Sequence, residues 1–194
     1  MKRHSIPTLV ASVAFVAVAV AMITQSLQGT ASAGPAVSAM VARGEYLVRI
    51  MDCSGCHTPW AVGPQGPAPD SSRLLSGHPQ DLAMPPAPAL GQGPWVWTGA
   101  GTNTAFGGPW GVSFAANLTP DRETGLGTWD EATFIAAMRS GRHEGQGRPI
   151  LPPMPWPAYG SATDEDLGAM FAYLQSIPAQ RNRVPQPVEP AEVR

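Results

Sequence analysis

The chain has 194 residues, 43% of them hydrophobic and only 13% charged, with a formal charge of −2. That balance excludes a disordered polyelectrolyte, and the scattered charges exclude a nucleic-acid-binding stripe. With 22 prolines and 21 glycines, much of the chain cannot be regular helix or strand, and the length fits one domain with some decoration.

The N-terminus reads as an export signal. Lys2, Arg3 and His4 precede an apolar run from Leu9 to Ile23, interrupted only by Ser12, and Ala31 to Ala33 offer a small-x-small cleavage pattern. The run is shorter than the ~20 residues that cross a bilayer. Residues 1–33 are therefore expected to be a cleaved signal, with an uncleaved N-terminal anchor as the alternative, and residues 34–194 a single domain. Cleavage removes two of the 12 basic residues and leaves ten against 14 acidic ones.

A first helix is expected from about Val37 to Asp52, with Met40, Gly44, Leu47 and Met51 on one stripe and Val41 and Val48 beside it. Gly44 weakens that helix, which is explained if another helix crosses closely there. The helix leads into Met51-Asp52-Cys53-Ser54-Gly55-Cys56-His57, which holds both cysteines of the chain.

Three chemistries use such a pair. A Cys53–Cys56 disulfide would close a tiny loop and restrain little of the unfolded chain. A redox-active CxxC is expected beside a βαβ pattern, and none is visible. A structural zinc site needs about four ligands, and His4, His78 and His143 form no spaced pair to complete one. Covalent haem attachment uses every residue: two thiols one turn apart for the two vinyl groups, and His57 directly after Cys56 as proximal iron ligand. Export agrees with that chemistry, so one covalently bound haem c, held by Cys53, Cys56 and His57, is the expectation.

From Thr58 to Ala116 about a third of the residues are Gly or Pro, which reads as a long inserted loop. Its aromatics Trp95, Trp97, Phe106, Trp110 and Phe114 suggest an ordered wrap over the haem. A second helix is expected to begin at the capping box Thr128-Trp129-Asp130-Glu131 and to stop at Gly141. A third has Thr163 as N-cap, three acidic residues at the positive end of its dipole, and Leu167, Met170, Phe171 and Leu174 on one face, ending before Pro178. The proline-rich tail, residues 179–194, reads as extended over the surface or disordered. No convincing alternating strand appears.

An electron carrier keeps a sixth iron ligand, which is thioether sulfur or a second imidazole. Met40, Met51, Met138 and Met170 fall on helices and read as core. Met84 and Met154 lie in proline-stiffened loops, where less entropy is lost on closing over iron. Met154, just before the third helix, is the leading candidate, with Met84, His78 and His143 behind it.

At this point three segments, GEYLVRIMDCSGCHTP, NLTPDRETGLGTWDEATFIAAMRSG and LPPMPWPAYGSATDEDLGAMFAYLQSIP, together resemble bacterial class I cytochromes c. The likeness is to the exported type related to the cytochrome subunits of alcohol dehydrogenases, and it covers about two thirds of the chain after residue 33. It implies an all-α cytochrome c fold of three main helices around one haem, with Cys53 and Cys56 as thioether donors and His57 and Met154 as axial ligands. It also implies periplasmic electron transfer, not an enzyme activity, between a dehydrogenase and an oxidase or another cytochrome, with a tether to the inner membrane if the N-terminal segment stays. The likeness is weakest from Val62 to Pro94, where Arg73, in RLLSGHP, is a candidate contact for a haem propionate. The alternatives, a haem peroxidase-like enzyme or a gas-binding sensor, need an open iron site, and His143 beside Glu144 is the best distal acid–base candidate for them.

Overall fold

The computed structural model of the chain describes residues 35–90 and 93–190, so the expected signal or anchor in residues 1–33 lies outside it. No helix among the described residues is long and apolar enough to cross a membrane. From Val37 onward the chain forms one unit, and the contacts below lie within it.

Two helices cross to make the frame. Helix α1, Pro35–Ile50, buries Gly44, Leu47 and Val48. The C-terminal helix α5, Asp164–Ser176, buries Leu167, Met170, Phe171 and Leu174. Each such side chain contributes about 1.5–3 kcal/mol relative to an exposed one. Gly44 marks the crossing, because a Cβ there would fall 1.9 Å from the Ala169 carbonyl oxygen. The close crossing expected at Gly44 is therefore present. Beside it, the Arg43 guanidinium donates two hydrogen bonds to Asp166, at 3.0 and 3.2 Å. Met40, expected in the core stripe, is instead 47% exposed.

Thr163 caps α5 by accepting from the Asp166 backbone N–H. Helix α3, Glu131–Ser140, ends at Gly141, whose φ of 66° is the left-handed conformation that glycine adopts without strain. Its N-cap is Asp130, which accepts from Thr133 N–H at 2.8 Å. The N-cap therefore lies two residues later than Thr128, and the expected capping box gives way to a simple Asp130 cap, because the carboxylate sits one residue before the helix and reaches its free N–H groups directly. Phe134 of α3 packs against Phe171 of α5 with ring centroids 5.5 Å apart. Two one-turn α-helices are also present among the described residues: α2, Cys53–His57, and α4, Trp156–Tyr159.

The expectation of an all-α fold is overturned. Residues 60–114 hold five short strands in two antiparallel sheets. Strands β1, Trp60–Gly63, and β2, Gly66–Pro69, form a hairpin, while β3, Thr98–Gly99, β4, Ala105–Gly108, and β5, Gly111–Phe114, form a three-stranded sheet. Both tight hairpins turn on a proline followed two residues later by a glycine with positive φ, Gly66 at 104° and Gly111 at 90°. Proline presets the first turn position, and glycine tolerates the reversal that follows. Strands of two to four residues, several containing Gly or Pro, are too short to display an alternating pattern.

The inserted segment also holds a buried knot. Leu75, Ser76 and His78 are at most 1% exposed. The tail latches it: the Asn182 amide donates to the carbonyls of Ser76 at 2.6 Å and His78 at 2.9 Å, and accepts from Gln80 N–H at 2.9 Å. Farther on, Val188 exchanges two backbone hydrogen bonds with Val112 of β5. The tail is thus extended and anchored over residues 180–188.

Candidate functional site

The CSGCH segment is the helical turn α2, entered through Asp52 with φ 54°. That reversal ends α1 and starts a new axis, so Cys53 and Cys56, at i and i+3, share a face of α2. Gly55 between them leaves room for the Asp52 carboxylate, which an added Cβ would force to turn away toward solvent. The Gly55 carbonyl accepts from the Trp60 indole at 2.9 Å and the Asn103 amide at 2.8 Å. These contacts tie the turn to β1 and to the loop before β4.

Both cysteines are free and half-buried. Burial pushes the Cys53 thiol up to about 12 and, with the Asp52 charge nearby, raises Cys56 as well. A redox-active CxxC needs a lowered thiol pKa, so the shift runs against that use.

His57 is buried, and its Nδ1 lies 2.8 Å from the Ala116 carbonyl. A carbonyl only accepts, so Nδ1 carries the proton and Nε2 carries the lone pair. Burial also lowers the imidazole pKa and keeps the ring neutral, opposed by the hydrogen bond to Ala116. Among the described residues Nε2 has no hydrogen-bond partner. The backbone around the ring is fixed from behind: Gly77 N–H donates to the His57 carbonyl at 2.7 Å, and Leu75 N–H donates to the Thr58 hydroxyl at 2.9 Å. The buried part of the inserted segment therefore supports the histidine.

Met154 lies in the loop between α3 and α4 and packs, half-buried, against the same core cluster as Cys53. Its loop is held on both sides. The Ser113 hydroxyl donates to the Pro152 carbonyl at 2.6 Å, and the Tyr159 hydroxyl donates to the Met51 carbonyl at 2.7 Å, two residues before Cys53.

The other candidates are engaged elsewhere. His78 Nε2 donates to the Leu82 carbonyl, and its Nδ1 accepts from Thr104, which is bonded in turn to Thr102. Both nitrogens of His78 are thus in use, and the ring packs 4.8 Å from Phe114. His143 and Glu144 are exposed, with His143 edge-on to Trp129. Met84 is half-buried in the inserted segment. Arg73 lines an open cleft of about 310 Å³ together with Asp70 and Asp81. Of the aromatics expected to wrap the site, Phe106 is buried, whereas Trp95 is 78% exposed. Ala116 and Ser113 escape sequence reasoning: one acts through its backbone carbonyl, and the other is an ordinary serine in a strand.

The donor set fits a haem c. Two free thiols share one helical turn, and the adjacent buried imidazole is locked in the tautomer that presents a lone pair, the usual arrangement of a metal-binding histidine. Cys53 and Cys56 would hold the porphyrin and His57 the iron.

Comparison with known proteins agrees. The cytochrome c subunit of the quinone alcohol dehydrogenase of Gluconobacter oxydans (strain 621H) is 28% identical over 146 residues, 75% of this chain and 23% of that protein. The cytochrome c subunit of gluconate 2-dehydrogenase of Pantoea cypripedii is 30% identical over 136 residues, covering 70% and 23%. The cytochrome subunit of fructose dehydrogenase of Gluconobacter japonicus is 26% identical over 153 residues, covering 76% and 24%. The matches span less than a quarter of each of these relatives. The sequence profile described as Cytochrome c matches residues 41–178. With that match over most of its length, the chain belongs to the cytochrome c family, electron carriers with covalently bound haem c.

Proposed function

We propose that the chain is an exported, single-haem cytochrome c with His57 and Met154 as axial ligands, passing single electrons from a dehydrogenase to an oxidase or another cytochrome. The observation that carries this reading is the His57 tautomer: Nδ1 spent on the Ala116 carbonyl, Nε2 left with its lone pair. The sequence holds one CxxCH, in keeping with one haem. Relatives named as cytochrome subunits of alcohol, gluconate and fructose dehydrogenases support a dehydrogenase as the electron donor. The apolar N-terminal run supports export to the periplasm, with retention at the inner membrane if it is not cleaved.

Bound haem supplies a one-electron iron(III)/iron(II) couple, and a thioether ligand raises its potential. The protein's own contribution is fixity. Cys53 and Cys56 would hold the macrocycle at two points, the Ala116 carbonyl orients His57, and the clamped loop presents Met154. Ligands held this way would move little when the iron changes oxidation state, and Met154 bound to it would leave no place for peroxide or a gas.

The test is the oxidised absorption spectrum of the haem-loaded protein and of Met154→Ala. A weak sulfur-to-iron charge-transfer band in the near-red, lost in the variant, supports the reading. A native protein without the band that binds carbon monoxide or peroxide readily overturns it in favour of an open-iron enzyme or sensor.

A further inference from the structure

We propose that Ser113 is a positioning residue for Met154, and that the segment Ser113–Ala116 sets the placement of both axial ligands. The inference rests on the reading of Met154 as sixth ligand. Ser113 is buried, and its single hydroxyl proton has two acceptors in reach: the Pro152 carbonyl at 2.6 Å and the Phe106 carbonyl at 3.4 Å. The shorter bond takes the proton, which ties β5 to the residue two before Met154. Three residues farther along the same segment, the Ala116 carbonyl fixes His57.

Residues 113 and 116 are at most about 10 Å apart along an extended chain. One short stretch therefore holds the histidine at one end and the methionine loop at the other. The backbone around it is pinned independently: Ala115 N–H donates to the Thr104 carbonyl at 2.8 Å, and Ser113 pairs with Phe106 across the sheet. Ser113 accordingly belongs to strand β5, and Ala116 follows two residues after its end, next to the pinned Ala115. Without the Ser113 hydroxyl, the Pro152 carbonyl loses its partner, and the methionine loop can swing away without disturbing His57. Ser113 acts on how firmly the sixth ligand is held, not on whether the haem is attached.

The experiment compares the oxidised holoprotein with Ser113→Ala, Ser113→Thr and Met154→Ala, using imidazole as a competing iron ligand and the near-red band as readout. Thermal unfolding followed by far-ultraviolet circular dichroism is recorded alongside. Ser113→Ala is expected to keep the band at neutral pH, to bind imidazole about tenfold more tightly, and to lose the band at lower pH on alkaline titration. That factor matches the net contribution of one hydrogen bond. Ser113→Thr, which keeps the hydroxyl, is expected to stay within about twofold of native on the same scale. Should Ser113→Ala fail to load haem, Ser113→Cys, with a weaker donor, is read by the same titration and the same criterion. Native-like imidazole affinity in the variant lacking the hydroxyl, with a Met154-dependent band, overturns the role of Ser113 and leaves the ligand assignment standing. A native band that is absent or survives Met154→Ala overturns the ligand assignment and the Ser113 proposal together.

Discussion

Gly44 of α1 and Ala169 of α5 are in direct backbone contact: a methyl built on Gly44 would lie 1.9 Å from the Ala169 carbonyl oxygen and 2.8 Å from Tyr173 Cβ. Gly44→Ala sets two effects against each other. Helix propensity favours alanine by about 1 kcal/mol, while overpacking costs about 1–3 kcal/mol and here pushes against backbone, which cannot rotate away. Because the clash is with backbone, the upper part of that range, about 2–3 kcal/mol, applies, and the expected net result is a loss of about 1–2 kcal/mol. Guanidinium unfolding with an unchanged slope would register it as a lower midpoint, and a midpoint at or above native would mean that α1 and α5 do not cross here.

Tyr159→Phe removes the hydroxyl that donates to the Met51 carbonyl at 2.7 Å and leaves the ring in place. A loss of about 1 kcal/mol in stability is expected. Because the bond joins the C-terminal side of the Met154 loop to the turn before Cys53, imidazole affinity should rise as well. A variant with native stability and native imidazole affinity would show that this end of the loop needs no anchor.

Asn182→Ala breaks a latch between residues more than 100 positions apart, removing donors from the Ser76 and His78 carbonyls and an acceptor from Gln80 N–H. Leaving buried groups unpartnered makes the expected cost about 2–4 kcal/mol. Hydrogen exchange should localise the opening to residues 75–80 while α1 and α5 keep their protection. Uniform loss of protection would argue that the tail is part of the global core instead.

The Asp121 carboxylate accepts from the Thr124 hydroxyl and from the backbone of Thr124 and Glu123, which holds its pKa below the ordinary carboxylate value. A depressed folded pKa contributes stability that is fully present above the unfolded value near 3.9 and lost as pH falls through the folded value. Asp121→Ala should therefore lower stability at neutral pH and flatten part of the acid limb below about pH 4. Parallel stability curves for native and variant proteins from pH 6 to pH 2 would disprove the linkage.

The helices were legible because their residues repeat with the helical period and their ends carry side-chain signals: Thr163, Gly141 and the Leu167–Leu174 face all lie where the pattern puts them. The cap of α3 was misplaced because Thr128 and Asp130 both offer a capping oxygen and only geometry chooses between them. The sheets were invisible because WAVG, GPAP and GVSF are too short to show a period, and their pairing is set by glycine turns. The candidate haem-binding cluster is legible in CSGCH, where chemistry dictates residue type and spacing. Its supports are not. The Ala116 carbonyl, the Pro152 carbonyl and the Gly77 N–H are backbone groups, which every residue supplies, so no side chain advertises them.

The latch made by Asn182 also orders events in time. The knot at residues 75–80, which backs His57, receives its closing bonds from a residue 106 positions later than Ser76. Contacts of such separation must first overcome the entropy of closing a long loop, so they form after the local helices. A chain emerging N-terminus first thus presents Cys53, Cys56 and His57 well before the segment behind the histidine can be locked, and the site stays pliable until Asn182 arrives.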